Sequence, residues 1–431
     1  MSLLRISRAF RQRRASAALG LAVVAFAVYN ANLRVIDSGD TFPARYLPLA
    51  IWRTGTLHLD LFKTEMNAGH SYVYWTASLR GHDYSNYPIV TPVLVTPLYA
   101  PAAYYLSTTG WNARRVKVAS GVMEKLCASL IAAASVAVMY LALLRITPPR
   151  NALLLTIAYA FGTNTWVTSS QALWQHGVGE LLLATVLYAA VRAGEHSRWC
   201  FLAGVCCSLM VFNRPGDGIM AMAVSAYFLQ PRMWKAFLIP AAALSAVLLA
   251  PNVVIFGGVT GGYVYTNPGR DVSHTIAEGV AGLLVCPAKG LFIFSPFLLL
   301  LLAASPRRFH DAGQKRLAAL LIVGLVCELV VYGRAQWVGG LCFGPRLLSG
   351  SLPAMIVLIA PLAASMRRPL RLGFIALIAI SIALQAAGAF YYPSSGVDGT
   401  YVLQPWTLWH PLYNTVIRDI RSGPMTLPNF E

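Results

Sequence analysis

Asp37-Ser38-Gly39-Asp40-Thr41-Phe42-Pro43-Ala44-Arg45-Tyr46-Leu47-Pro48 follows the first apolar run of the chain and opens its longest polar region. Two carboxylates, an arginine and a tyrosine stand where a membrane helix would meet water. Ionisable groups at such a junction are costly to hold and tend to mark function. A local reading competes with this one. Aspartate just ahead of a proline in a first helical turn is an ordinary helix start, so Asp37 and Asp40 could cap a helix beginning near Phe42-Pro43. These residues alone do not choose between the two; the rest of the chain must.

Composition sets the class. With 57% hydrophobic residues, 12% charged and a mean hydropathy of +0.58, there is too little polar surface to cover a soluble globule of 431 residues. The pattern is that of an all-α polytopic membrane protein. The net charge of +18 comes from short basic clusters between apolar runs, as in cytoplasmic loops, which argues against nucleic acid as a partner. The seven cysteines lie mostly inside apolar segments, without the paired spacing of a zinc site or a disulfide framework.

The first apolar run, 15–31, follows Arg5, Arg8, Arg11, Arg13 and Arg14. It has full span length and no convincing cleavage site, and so reads as an uncleaved first span entering from the cytoplasm. A first outer loop (34–113) follows, with one or two short helices expected along the membrane surface. Within it, residues 88–101 are apolar but carry four prolines, Pro88, Pro92, Pro97 and Pro101. If that segment does not cross, further spans fall near 117–144, 152–168, 173–191, 199–213, 218–230, 235–256, 291–304, 316–332, 347–365 and 371–391, about eleven in all. Residues 1–392 then form the membrane module and 393–431 an extracytoplasmic tail, with a short helix expected at 411–421.

Charge settles the parity. In this arrangement the cytoplasmic side holds the five N-terminal arginines, Arg145, Arg150, Arg192, Arg198, Arg232, Lys235, Arg307, Arg308, Lys315, Arg316, Arg367, Arg368 and Arg371, against Glu195 and Asp311. A crossing at 88–101 would put every basic loop from Arg145 onward outside, against the positive-inside rule. The proline segment is therefore read as re-entrant or surface-lying, in a bacterial cytoplasmic membrane. The N-terminus is inside; the aspartate cluster and the C-terminus are outside.

This parity gathers the chemically interesting groups on the outer face: Asp37 and Asp40, Gln171-Ala172-Leu173-Trp174-Gln175-His176, Asn213-Arg214-Pro215, the loop ending Cys286-Pro287-Ala288-Lys289-Gly290, and the loop Gly333 to Arg346. Arg346 and Lys289 each stand where a glycine-bearing loop meets an apolar helix, at the depth of a lipid phosphate. Snorkelling to interfacial lipid would explain them equally well. Glu124, Glu180 and Glu328 lie in or near spans and are expected to pair with these cations. There is no HExxH, no GxxxxGK[ST], no GxGxxG and no Asp-x-Asp. Asp37, Asp40 and Asp60 offer oxygen ligands for a divalent cation, but three nearby aspartates are not a coordination set. No cofactor is certain.

Taken in order, several pieces resemble one family. They are Gly39-Asp40-Thr41 with Ala44-Arg45-Tyr46-Leu47-Pro48, Leu57 to Phe62, Phe161-Gly162-Thr163, Ser170 to Gly177, Phe212-Asn213-Arg214-Pro215, Pro287-Ala288-Lys289-Gly290-Leu291 with Ser295-Pro296, and Trp337-Val338-Gly339-Gly340 running into Phe343-Gly344-Pro345-Arg346. Together these resemble the bacterial membrane glycosyltransferases of the GT-C fold, which include protein mannosyltransferases and the lipid A aminoarabinose transferase. The resemblance implies a GT-C-type bundle with juxtamembrane helices in the first outer loop. It also implies an acidic catalytic base in that loop, with Asp40 as best counterpart and Asp37 second. The chain departs from the mannosyltransferase pattern in lacking an Asp-Glu pair and in carrying Lys289 where arginine is expected.

Nucleotide sugars are not available outside the membrane, so a transferase there needs an activated, membrane-held donor, and a polyprenyl-phosphate sugar meets both conditions. On this reading Arg346, with Lys289 or Arg214, holds the donor phosphate. Asp40 accepts the proton of a glycan, lipid or protein acceptor hydroxyl, with inversion. Arg45, Tyr46, His58, Asp60, Trp174, Gln175, His176 and Trp337 are the candidate substrate contacts. A flippase or transporter of lipid-linked sugars, or a non-catalytic subunit that binds them, is the alternative, although no paired half-repeat is visible.

Overall fold

In a computed structural model of the chain, residues 2–69, 73–265, 274–335, 337–340, 342–392, 408–410 and 416 are described, with backbone alone for 2–11 and 264. The chain starts with α1 (Ser2–Asn30), which carries the basic cluster and the first apolar run. The first loop then builds a small assembly of its own. α2 (Phe42–Thr54) starts with Pro43 in its first turn, where the missing N–H costs nothing. It stops at Gly55, whose positive φ of 70° and N–H bond to Ile51 O form a left-handed cap. Thr41, not an aspartate, stands at its N-terminus, and no side chain caps it. The helix-cap reading of Asp37 and Asp40 is thus overturned: both carboxylates are engaged by arginines, described below.

A short 3₁₀ turn at Asp60–Phe62 leads into α3 (Lys63–Asn67), followed by an antiparallel hairpin of β1 (Thr76–Leu79) and β2 (His82–Ser85). The proline segment is helical: α4 (Val90–Val95), a 3₁₀ turn at Thr96–Tyr99 and α5 (Ala100–Thr109) follow one another without a break. Pro88 precedes the first helix, and Pro92, Pro97 and Pro101 fall in first turns, where each missing N–H has no partner to lose. This run packs along α2, with Trp52 donating from its ring N–H to Thr96 O at 2.7 Å. It belongs to the first-loop assembly, whose own apolar core joins Phe42, Leu47, Phe62, Trp75, Tyr99 and Leu173.

The remaining helices form the bundle. They are α6 (Ala113–Leu143), α7 (Pro149–Phe161), α8 (Gln175–Ala190), α9 (Ser197–Asn213), α10 (Asp217–Phe228), α11 (Trp234–Phe256), α12 (Ile276–Val285), α13 (Leu291–Phe294), α14 (Ala312–Ala335), α15 (Leu352–Ser365) and α16 (Arg368–Tyr391). Among the described residues, five helical stretches are long and apolar enough to cross a membrane: α6, α11, α14, Arg346–Ser365 and α16. This is a multi-pass membrane protein. Helices stand at every expected span, but α7 to α10, and the helical stretch Leu291–Ala303, are shorter than a full crossing.

α6 packs on α1 and α8, α8 on α9, and α9 on α11, while α14 packs on α10 and α12. Between α7 and α8 a π-helical turn, Thr165–Ser169, returns the chain to the bundle end that carries the first loop. Of the expected tail helix at 411–421 only residue 416 is among the described residues. Nearer its start, Leu408 O accepts from Cys286 Sγ at 3.1 Å, and Trp409 rests against Trp337.

Candidate active site

The site forms where the first loop folds back over the bundle. Asp40 and Arg346, 306 residues apart in sequence, meet: Arg346 donates from Nη1 to Asp40 Oδ2 at 2.5 Å. The other carboxylate oxygen accepts from Tyr87 at 2.6 Å and from Tyr74 at 3.1 Å, so Asp40 is held by three donors. Burial by itself would raise its pKa, but the guanidinium and the two phenols outweigh burial and hold the carboxyl below its ordinary value. Both phenols move the other way: burial, then the adjacent carboxylate, push Tyr87 and Tyr74 upward, so both keep their protons and remain donors.

Gly39 makes this arrangement possible. A Cβ there would stand 2.5 Å from the Trp75 ring and 2.7 Å from the Tyr74 hydroxyl, so any side chain would drive the tyrosine off the carboxylate. Arg346 is fixed from its other sides. Its Nη2 donates to Gly339 O at 2.5 Å, and its guanidinium lies 4.7 Å from the centre of the Trp174 ring. Trp174 is in turn pinned by its ring N–H, which donates to Ile36 O at 2.9 Å. Arg346 Nε is buried with no partner among the described residues, leaving one strong donor to spare.

A second ring of groups stands beside this pair. Arg214, at the end of α9, donates to Asp217 at 3.2 Å and to Leu347 O at 3.3 Å, with its guanidinium 5.2 Å from the Tyr332 ring centre. His176 is buried, its Nδ1 has no partner among the described residues, and it lies close enough to Arg214 and Arg346 to feel both charges. Gln175 accepts from Tyr263 at 2.9 Å, and the Tyr263 ring meets Tyr87 edge-on at 5.7 Å. Asp40, Arg346, Trp174, Gln175, His176 and Arg214 therefore share one neighbourhood.

Other expected residues are placed elsewhere. Arg45 is buried and bridges Asp37 and Glu124, so Asp37 is committed to an ion pair behind the Asp40 site. Tyr46 stacks on Phe62 in the core of the first-loop assembly. Lys289 is buried beneath the last loop, where its ammonium donates to Gly340 O at 3.1 Å and to Cys342 O. Burial lowers its pKa, yet these carbonyls occupy its donors. Trp337 is buried against Gly282, whose Cβ position lies 2.3 Å from the ring. His58 and Asp60 gather with His82 at the hairpin.

The expected pairing of the three glutamates with Arg346 or Lys289 is corrected. Glu124 pairs with Arg45, Glu180 accepts from Tyr159, Thr165 and Ser169, and Glu328 accepts from Ser351. Asp37, Asp40 and Asp60 do not form a common oxygen cage, because each has a different partner: Arg45, Arg346 and the two histidines. Tyr74, Tyr87 and Tyr263 were not legible as site residues. For Tyr74 and Tyr87 the sequence signal is the tyrosine-rich stretch from Tyr72 to Tyr87, and Tyr263 lies in the separate outer loop Gly257 to Gly290.

The helical bundle with its first-loop assembly has the GT-C fold, as the following likeness shows. By structure the chain is similar to ArnT from Cupriavidus metallidurans, solved with undecaprenyl phosphate bound. The TM-score is 0.50 at 14% identity, over 90% of this chain and 67% of that one. It is also similar to an oligosaccharyltransferase from Archaeoglobus fulgidus in its apo form, with a TM-score of 0.49 at 11% identity, over 95% of this chain and 61% of that one. No family model and no curated relative matches the sequence.

Proposed function

We propose that this protein is an inverting glycosyltransferase that moves a sugar from a polyprenyl-phosphate donor to an acceptor hydroxyl on the extracytoplasmic face of a bacterial inner membrane. The observation that carries the reading is the Asp40–Arg346 contact, a base candidate and a phosphate-binding candidate at one point of the fold. It is supported by the fold shared with ArnT, a protein solved with undecaprenyl phosphate in place.

The contact suits a substrate-gated base. While paired with Arg346 the carboxylate is weakly basic. A donor phosphate competes for the guanidinium, which has Nε free and Trp174 to hold its plane. As Arg346 turns to the phosphate, Asp40 loses its strongest partner and becomes a better proton acceptor. The acceptor oxygen then attacks the anomeric carbon, its proton passes to Asp40, and the sugar–phosphate bond breaks with its electron pair leaving on the phosphate. Arg346 stabilises that developing charge, with Arg214 beside it. Lys289 supports the last loop and shapes the phosphate site through Gly340 and Cys342, rather than touching the phosphate.

The test is purified protein in lipid nanodiscs, given polyprenyl-phosphate sugars and glycan, lipid or peptide acceptors. A new glycosidic bond, lost in Asp40→Ala, is the expected result. Movement of donor between leaflets of reconstituted vesicles without bond formation would replace this reading with transport.

A further inference from the structure

We propose that His58, Asp60 and His82 form a binding site for a zinc-class divalent metal that ties the turn before α3 to the β1–β2 hairpin. One ligand atom from each residue lies within 4.8 Å of the others. His82 Nδ1 is 2.6 Å from Asp60 Oδ2, and His58 Nδ1 is 3.1 Å from the same oxygen. The two imidazoles stack at 4.4 Å with 20° between their planes, so binding one ion in the plane of both rings requires one imidazole to turn out of the stack.

Two features separate this cluster from a simple hydrogen-bonded staple. His58 Nδ1, although near Oδ2, is out of hydrogen-bonding alignment and is a buried nitrogen without a hydrogen-bond partner among the described residues. A lone pair left in that state satisfies a metal better than it satisfies a carboxylate. The second oxygen of Asp60 is held by the Asp83 N–H at 2.7 Å, which orients the carboxylate as a supporting hydrogen bond does in metal sites. Spacings of about 3.3 Å between ligand atoms suit bonds of about 2.0–2.1 Å in a tetrahedral ion. The observed 3.1 and 2.6 Å reach them by rotation of the imidazole and carboxylate side chains, with no change of the backbone pairing that brings the three residues together.

Two imidazoles and one carboxylate favour zinc and its neighbours over magnesium or calcium, which prefer all-oxygen shells. Asp60 and His82 are partly open to solvent, leaving a path for entry and a position for water. The nearby charges, Lys63 and Asp83, neutralise each other at 2.7 Å, so the Asp60 carboxylate sets the local field. The consequence reaches the candidate active site through the backbone. His58 and Tyr84 are bridged, Leu59 N–H donates to Asp83 O at 2.7 Å, and the hairpin runs between Tyr74 and Tyr87, both bonded to Asp40.

Tag-free protein in detergent is titrated with Zn2+ alone, and Co2+ is used as a spectroscopic substitute. One equivalent should bind and raise Tm, Co2+ should show the visible absorption of a low-coordinate N/O site, and millimolar Mg2+ should not displace either ion. His58→Ala and His82→Ala should each weaken Zn2+ binding at least tenfold, and the double variant should abolish it. Zn2+ should also shield His58 and His82 of the unmodified protein from carbethoxylation, read by mass spectrometry, a measurement that needs no variant to fold. Unchanged stoichiometry in the double variant, displacement by Mg2+, or protection of other histidines instead would overturn the assignment.

Discussion

Replacing Asp40 with asparagine keeps the shape and an acceptor oxygen for Tyr87 and Tyr74 but removes the charge facing Arg346. Leaving one partner of a fully buried ion pair alone costs about 3–5 kcal/mol. Here the Arg346 and Asp40 side chains keep 13% and 21% of their exposure, so water offsets part of that. The expected loss of stability is roughly 1–3 kcal/mol. The chemical step should suffer more, because a positioned general base contributes about 10²–10⁴-fold in rate. Donor binding should move the opposite way: with Asp40 no longer competing for the guanidinium, Asp40→Asn should bind undecaprenyl phosphate at least as tightly as the unmodified protein. The assay is initial-rate sugar transfer in nanodiscs at saturating donor, run beside undecaprenyl phosphate binding and Tm on the same preparation. Turnover within tenfold of the original would refute Asp40 as base, and donor affinity lost in step with turnover would refute the competition for Arg346.

The depressed Asp40 pKa sets a pH dependence. A carboxylate held below its ordinary value of about 3.9 keeps its ion pair above that pH, and the stabilisation is lost only as pH falls through the folded-state value. In pH–rate profiles the acid limb of kcat/KM should therefore lie below the ordinary carboxylate range. The limb of kcat should lie at higher pH, because bound donor has drawn Arg346 away; coincident limbs would contradict that. Gly39→Ala should lose about 1–3 kcal/mol by overpacking against Trp75 and Tyr74, and transfer should fall with it, both measurable by Tm and turnover. Lys289→Met should lower Tm, with about 1–3 kcal/mol lost as the Gly340 and Cys342 carbonyls lose their donor. Donor affinity measured on the folded fraction should change less than in Arg346→Met, and the reverse order would return Lys289 to the phosphate.

The sequence by itself determined the membrane class, placed helices at the expected spans, though not α12, and singled out Asp40 and Arg346 as candidates. Those follow from hydropathy over a span's length, from the bias of arginines between spans, and from charges set at helix ends, all of which are local properties of a chain in lipid. Tertiary structure decided the partners. Asp37 and Asp40 are three residues apart and alike on paper, yet one pairs with Arg45, which it shares with Glu124, while the other faces Arg346. Lys289 and Arg346 share a setting in sequence, but one turns under the last loop and the other toward the first. Tyr74, Tyr87 and His82 gain their roles from a hairpin whose pairing carries no strong local signal. Each of these outcomes depends on which backbone segments close over one another across hundreds of residues, and neither periodicity nor charge counting contains that information.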